Sequence, residues 1–170
     1  MYSFNMKINR SIFLKALIYD FKEMNDIYHF YADYKRESFV EEPTGIFNIK
    51  SECVLNADVL DYFSYFIDKT VLNDAKVIVE DSEFNLIDME VKNYVKSKST
   101  NLYEVTVHIK FIELNDCEMT VEMSIKVDIG LDNSIVKNLV SSVASLFVYS
   151  HFVQYFEKIS EYAMEKYMKL

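Results

Sequence analysis

The side chains here with the chemistry to catalyse or to hold a metal are three histidines, two cysteines and two knots of acidic residues. His29, His108 and His151 each stand alone. None has a second histidine or a cysteine at ligand spacing, and no H-E-x-x-H occurs. A structural or surface role is the simpler reading for each. Glu41-Glu42 and Glu80-Asp81-Ser82-Glu83 could supply paired carboxylates for acid/base work or a magnesium site. Neighbouring carboxylates in a polar stretch more simply stay solvated. Cys53 and Cys117 are too few and too isolated for a disulfide framework or a zinc site, and read as two buried cytosolic thiols. Two glycines and one proline leave little backbone for strained catalytic turns, and no G-x-G-x-x-G, P-loop or G-x-S-x-G is present. The expectation is no enzyme, no metal and no cofactor.

The charge balance points the same way. Eighteen basic against 27 acidic residues give −9, a field that opposes contact with a nucleic acid backbone and permits a basic protein partner. The start lacks the apolar core of a signal peptide. The most apolar stretches, 11–19 and 139–149, are too short to span a bilayer, so a cytoplasmic chain without membrane insertion is expected. At 170 residues, 51% of them hydrophobic, the chain is most simply one domain, 1–170, large enough to bury a core.

The elements that would position these residues are clearest in the second half. Tyr103, Val105, Val107, Ile109 and Phe111 alternate with polar neighbours, and Met119, Val121, Met123, Ile125 and Val127 repeat the pattern after the break Asn115-Asp116. That is an antiparallel pair with one dry and one wet face. Val77 and Val79, then Ile87, Met89 and Val91, predict further strands, with Asn93 interrupting before Val95. Gly130, with Asp132 or Asn133 as N-cap, opens a long amphipathic helix towards Met168. In the first half, helical spacing from Ser11 to about Tyr34 predicts a helix capped by Ser11, and Val59 to Ile67 predicts a second. The segment from Lys35 to Gly45 reads as a loop, and Ile46–Ile49 as a short strand. The fold class expected is α+β. An antiparallel sheet of about four strands (76–130) is covered by the long C-terminal helix (131–170), with a mainly helical part over 1–75.

Aromatic residues exceed what one core stripe per helix accommodates. In Tyr62-Phe63-Ser64-Tyr65-Phe66 the rings cover more than half of a helix circumference. Either such helices are sandwiched between two apolar surfaces, or they offer an adaptable surface to another chain. Tyr62, Tyr65, Phe66, Tyr155 and Tyr162 are the candidate client-binding or oligomer-surface residues. A homo-oligomer, dimer or tetramer, is expected, because a short sheet leaves edges that need cover.

From residue 86 onward the chain resembles the SecB family of export chaperones. Met89-Glu90-Val91-Lys92 leads through a polar loop into Tyr103-Glu104-Val105-Thr106-Val107-His108-Ile109. A hairpin strand over 117–129 follows, then Leu146-Phe147-Val148-Tyr149 in the helix. Val148 replaces the family's usual proline, and the first 70 residues have no counterpart. The resemblance implies a divergent SecB-like member, such as a chaperone of a toxin–antitoxin–chaperone system. The expected function is then a non-enzymatic, chaperone-like module holding an apolar segment of a client or antitoxin protein. The alternative is an acidic phage- or defence-related inhibitor occupying a basic nucleic-acid site on another protein.

Overall fold

The computed structural model describes residues 1–20, 23 and 31–169. In chain order its elements are β1 (Tyr2–Met6), α1 (Arg10–Tyr19), β2 (Tyr31–Glu41), β3 (Ile46–Leu55), α2 (Ala57–Phe63), α3 (Lys69–Asp74), β4 (Val77–Asn85), β5 (Glu90–Ser97), β6 (Tyr103–Asn115), β7 (Glu118–Ile129) and α4 (Ser134–Tyr167). The strands form one seven-stranded sheet in the order β1-β7-β6-β5-β4-β3-β2. Every neighbouring pair is antiparallel.

The alternation of β6 and β7 sets the dry face. Val107 lies opposite Ile125 and Phe111 opposite Val121, and Val107, Phe111 and Val121 are buried while Glu104, Thr106 and Lys110 face water. The turn between the two strands is closed by the Asn115 side chain, which accepts from the Cys117 amide at 2.9 Å. After β7 the chain doubles back so tightly that a Cβ on Gly130 would stand 2.6 Å from the Asn101 carbonyl oxygen. Glycine is required there for lack of space. Asn133 then caps α4, its side-chain oxygen accepting from the Ile135 and Val136 amides at 3.0 and 3.1 Å.

With no internal glycine or proline, α4 runs unbroken for 34 residues across the dry face. By length and composition it could cross a membrane. Here its second half buries Phe156, Ile159 and Ala163 instead. Phe156 meets Phe13 of α1 edge-on at 5.3 Å and Phe111 of β6 at 5.9 Å. The C-terminal end is pinned to buried Asp20, to which Lys166 Nζ donates at 2.9 Å and the Tyr167 hydroxyl at 2.7 Å. Val140, nearer the start of α4, belongs to a second apolar cluster with Ile67, Leu72, Leu102 and Ile129.

Several expectations need correction. The sheet has seven strands and not about four, and the first 75 residues are not mainly helical. The helix expected from Ser11 to about Tyr34 is realised as α1, which begins at Arg10. Its cap is Asn9, whose side chain accepts from the Ile12 amide, and not Ser11. Residues 24–30 of that expected helix lie outside the described residues, and from Tyr31 the chain is a strand. Residues 35–41 are also strand, so the loop shrinks to a turn around Gly45, which takes a φ of +78°. The strand at Ile46 extends to Leu55. Ile87 and Met89 fall in the turn between β4 and β5, and α2 ends at Phe63, so that Tyr65 and Phe66 of the expected helix lie in a turn; the hairpin and α4 stand where the periodicity put them.

Candidate functional site

The buried apolar residues fall into two clusters. Between them, bounded by the sheet's dry face, by α2 and α3, and by α4, lies a cavity of about 210 Å³. One water centre needs roughly 10–15 Å³, so this is far more than a packing defect. Its walls come from both clusters. Val105, Val107, Val127 and Ile129 project from β6 and β7, Val140, Ala144 and Phe147 from α4, and Leu60 and Phe63 from α2. Strand alternation explains the sheet wall, since these residues share the inward phase.

The rings of α2 rest on α4. Tyr62 stacks on Phe147 at 5.1 Å between ring centres, and Phe63 meets the same ring edge-on at 5.3 Å.

One side of the cavity is polar, and the sheet register builds it. In the inward rows Ser51 of β3 lies opposite both Arg36 of β2 and Glu80 of β4. Ser82 of β4 lies opposite Asn93 of β5. Asn93 Nδ2 donates to Glu80 Oε1 at 2.6 Å and to Ser82 Oγ at 2.8 Å. The Tyr31 hydroxyl donates to Glu80 Oε2 at 3.4 Å, and the Cys53 thiol approaches the same oxygen at 3.9 Å. The Tyr34 hydroxyl and Ser51 Oγ are 2.7 Å apart. A smaller cavity of about 80 Å³ adjoins, lined by Arg36, Leu17 and Ile109 and sharing Tyr34, Glu80, Asn93 and Tyr155 with the larger one. The polar group is thus a partition between two hollows.

Burial governs the ionisation of this partition. It raises the Glu80 carboxyl above the usual carboxylate range, and the bonds from Asn93, Tyr31 and Cys53 and the Arg36 charge offset it only in part. Burial, then the nearby Glu80 charge, pushes Tyr34 up to about 12. Tyr31, Tyr155 and the Cys53 thiol rise for the same first cause, and Arg36 is lowered by burial. His151, on the cavity wall of α4, is held neutral, its value lowered to about 3 by burial.

The candidate residues from the sequence are not gathered into one surface. Tyr65 is 89% exposed and Phe66 37%. Tyr62 is exposed on one face and stacked on Phe147 on the other. Tyr155 lines the cavities. Tyr162 packs partly buried against the core, with its hydroxyl accepting from Lys166 Nζ at 2.9 Å. Of the acidic knot only Glu80 turns inward to the cavity, while Asp81 is exposed. No group of three or more metal-ligating side chains occurs among the described residues. His108 pairs with Glu90 at 2.8 Å, on the wet face. His29 lies outside the described residues. What the sequence reading missed is Glu80 and Asn93 as partners. Their signal was present, because both occupy inward phases of strands whose other inward residues are mostly apolar or small.

No protein-family model matches the sequence, and no curated protein matches it. Solved structures do match. The Zhui aromatase/cyclase from Streptomyces sp. R1128 superposes with a TM-score of 0.61 at 7% identity, covering 97% of this chain and 92% of that one. Ara h 8.0201 gives 0.57 at 10% identity over 97% and 99% of the two chains. A START superfamily protein from Mycobacterium smegmatis gives 0.55 at 7% identity over 94% of each. These matches overturn the SecB resemblance and with it the chaperone and toxin–antitoxin setting. Alternating strands followed by an amphipathic helix recruit the same residue types in both folds, so the quoted motifs did not discriminate. The expectation of a non-enzyme is overturned too. An aromatase/cyclase is built on this fold, so missing phosphate loops and nucleophile elbows do not argue against catalysis. A seven-stranded antiparallel sheet gripped by a long C-terminal helix is the helix-grip fold, and that is the fold of this chain.

Proposed function

We propose that this protein binds a small, largely apolar molecule in the cavity between the sheet and α4. The observation that carries the reading is the cavity itself, a hollow with mostly apolar walls and convergent polar groups at one side. A well-packed core of this size has no reason to keep such a hollow, since unfilled volume costs stability. The occupant is a compact molecule and not an extended peptide, because strands, α2–α3 and α4 wall the space on several sides. The match to an aromatase/cyclase supports a ring-bearing ligand. Both cysteines are free thiols, in keeping with a reducing, cytoplasmic setting, although only Cys53 is buried as expected and Cys117 is exposed in the β6–β7 turn.

The test is a plug. Ala144 is 6% exposed, on the cavity wall of α4. Ala144→Trp should keep the melting transition and lose binding of a neutral apolar dye such as Nile red that the parent binds. Equal binding by both proteins would count against the cavity as the site. Catalysis on the bound molecule is the second reading, favoured by a carboxyl on the cavity wall whose proton is held beyond the usual range. A ligand consumed by the parent and spared by Glu80→Gln would support it.

A further inference from the structure

Among the described residues lining the larger cavity there is no lysine or arginine; its one carboxyl is Glu80 and its one imidazole is His151. Arg36 lines the smaller hollow, where it is already engaged by Tyr34 and by the Glu80 charge. Among the described residues, the polar side chains lining the larger space are therefore the carboxyl of Glu80, the amide of Asn93, the imidazole of His151 and the phenols of Tyr31, Tyr34, Tyr103 and Tyr155, of which Tyr103 already donates to the Ala75 carbonyl at 2.9 Å. Each phenol, the amide and a neutral imidazole can both donate and accept a hydrogen bond. A carboxylate brought into this space would lose its water, find no lysine or arginine among the described wall residues and face Glu80. A hydroxyl or carbonyl would lose far less and gain partners of either sense.

We infer that the ligand carries an uncharged oxygen function, a hydroxyl or a carbonyl, at the end that meets Glu80 and Asn93, and that acidic ligands of the same shape are rejected. The inference rests on the small-molecule reading above and names its ligand class. Glu80 is the recognising group because Asn93 and Tyr31 hold its carboxyl in place from β5 and β2, at 2.6 and 3.4 Å. Asn93 is itself fixed by Ser82.

The experiment uses four probes with one ring system: naphthalene, 2-naphthol, 2-acetylnaphthalene and 2-naphthoate, each titrated at pH 7.5 and followed by displacement of Nile red. The expected result is naphthol and acetylnaphthalene binding about tenfold tighter than naphthalene, as one or two buried hydrogen bonds give, and naphthoate weakest of the four. Glu80→Leu should bring naphthol to within about threefold of naphthalene while naphthalene itself still binds. Glu80→Gln, which keeps an oxygen for Asn93 to bond, should retain the parent's order and guards against misfolding of the leucine variant. Naphthoate binding as tightly as naphthol, or a naphthol margin that survives Glu80→Leu, would overturn the inference while leaving the cavity reading intact. Failure of all four probes and of Nile red would overturn both.

Discussion

Lowering the pH from 7.5 to 5 should cost the folded protein about 2 kcal/mol through His151 alone. The imidazole sits on the apolar cavity wall, ring-parallel to Tyr155 at 6.0 Å, and burial lowers its value from 6.5 to about 3. The sign follows from which state takes the proton. Below 6.5 the unfolded chain protonates this residue and the folded chain does not, so stability falls as the pH drops. Each unit below 6.5 costs about 1.4 kcal/mol, and pH 5 lies one and a half units down. Against a total of roughly 5–15 kcal/mol that is a large share. Glu80 acts in the opposite direction, so the measurement must be a comparison. Urea unfolding of the parent and of His151→Leu at both pH values should show the parent losing about 2 kcal/mol more. Imidazole proton resonances of His151 should stay unshifted from pH 8 to 5. Titration near 6.5, with equal pH slopes in the two proteins, would refute the reasoning, because it would mean that water solvates this wall.

Other outcomes follow from single features. Glu80→Gln should stabilise the protein increasingly as the pH rises above the ordinary carboxylate range, since the folded state holds the Glu80 proton more tightly than the unfolded chain does; thermal melts at pH 4 and 8 decide it. Phe156→Ala should cost about 3–5 kcal/mol, because the ring is 1% exposed and packs on Phe13 and Phe111, whereas Val121→Asp, buried at 0%, should cost several kcal/mol by stranding a charge; urea midpoints measure both. We propose that the exposed side chains Tyr65, Leu139 and Leu146 make the protein self-associate. Light scattering should then give a mass above 20.1 kDa that falls when Tyr65 and Leu139 become serine.

The hairpin and α4 were legible because their patterns are long and unbroken. β6 and β7 alternate over a dozen residues each, and α4 keeps one apolar stripe behind a clear Asn133 cap. β2 was illegible for a physical reason. Register shifts between Tyr31 and Asp33 and between Arg36 and Ser38 break its period-two phase, so its aromatics fall at spacings that imitate a helix. β3 hides differently. Its inward row runs Phe47, Ile49, Ser51, Cys53, and the buried Ser51 reads as a solvent residue until Tyr34 is seen bonded to it. β1 is too short, at five residues, to show a period. The site shared this difficulty. Glu80 sits in a run of acidic residues whose other members face water, and only the pairing of β3, β4 and β5 shows that it alone turns inward beside Asn93. The excess of aromatics was real, but part of it lines a cavity.

Methyl-resolved NMR of the protein titrated with 2-naphthol shows where a ring-bearing ligand sits. Binding in the cavity should give intermolecular nuclear Overhauser contacts from the naphthol ring to Val105, Val107, Val127, Val140 and Ala144, whose side chains line it. Saturable binding with contacts only at Leu139 and Leu146, which are 54% and 56% exposed on α4, would contradict it.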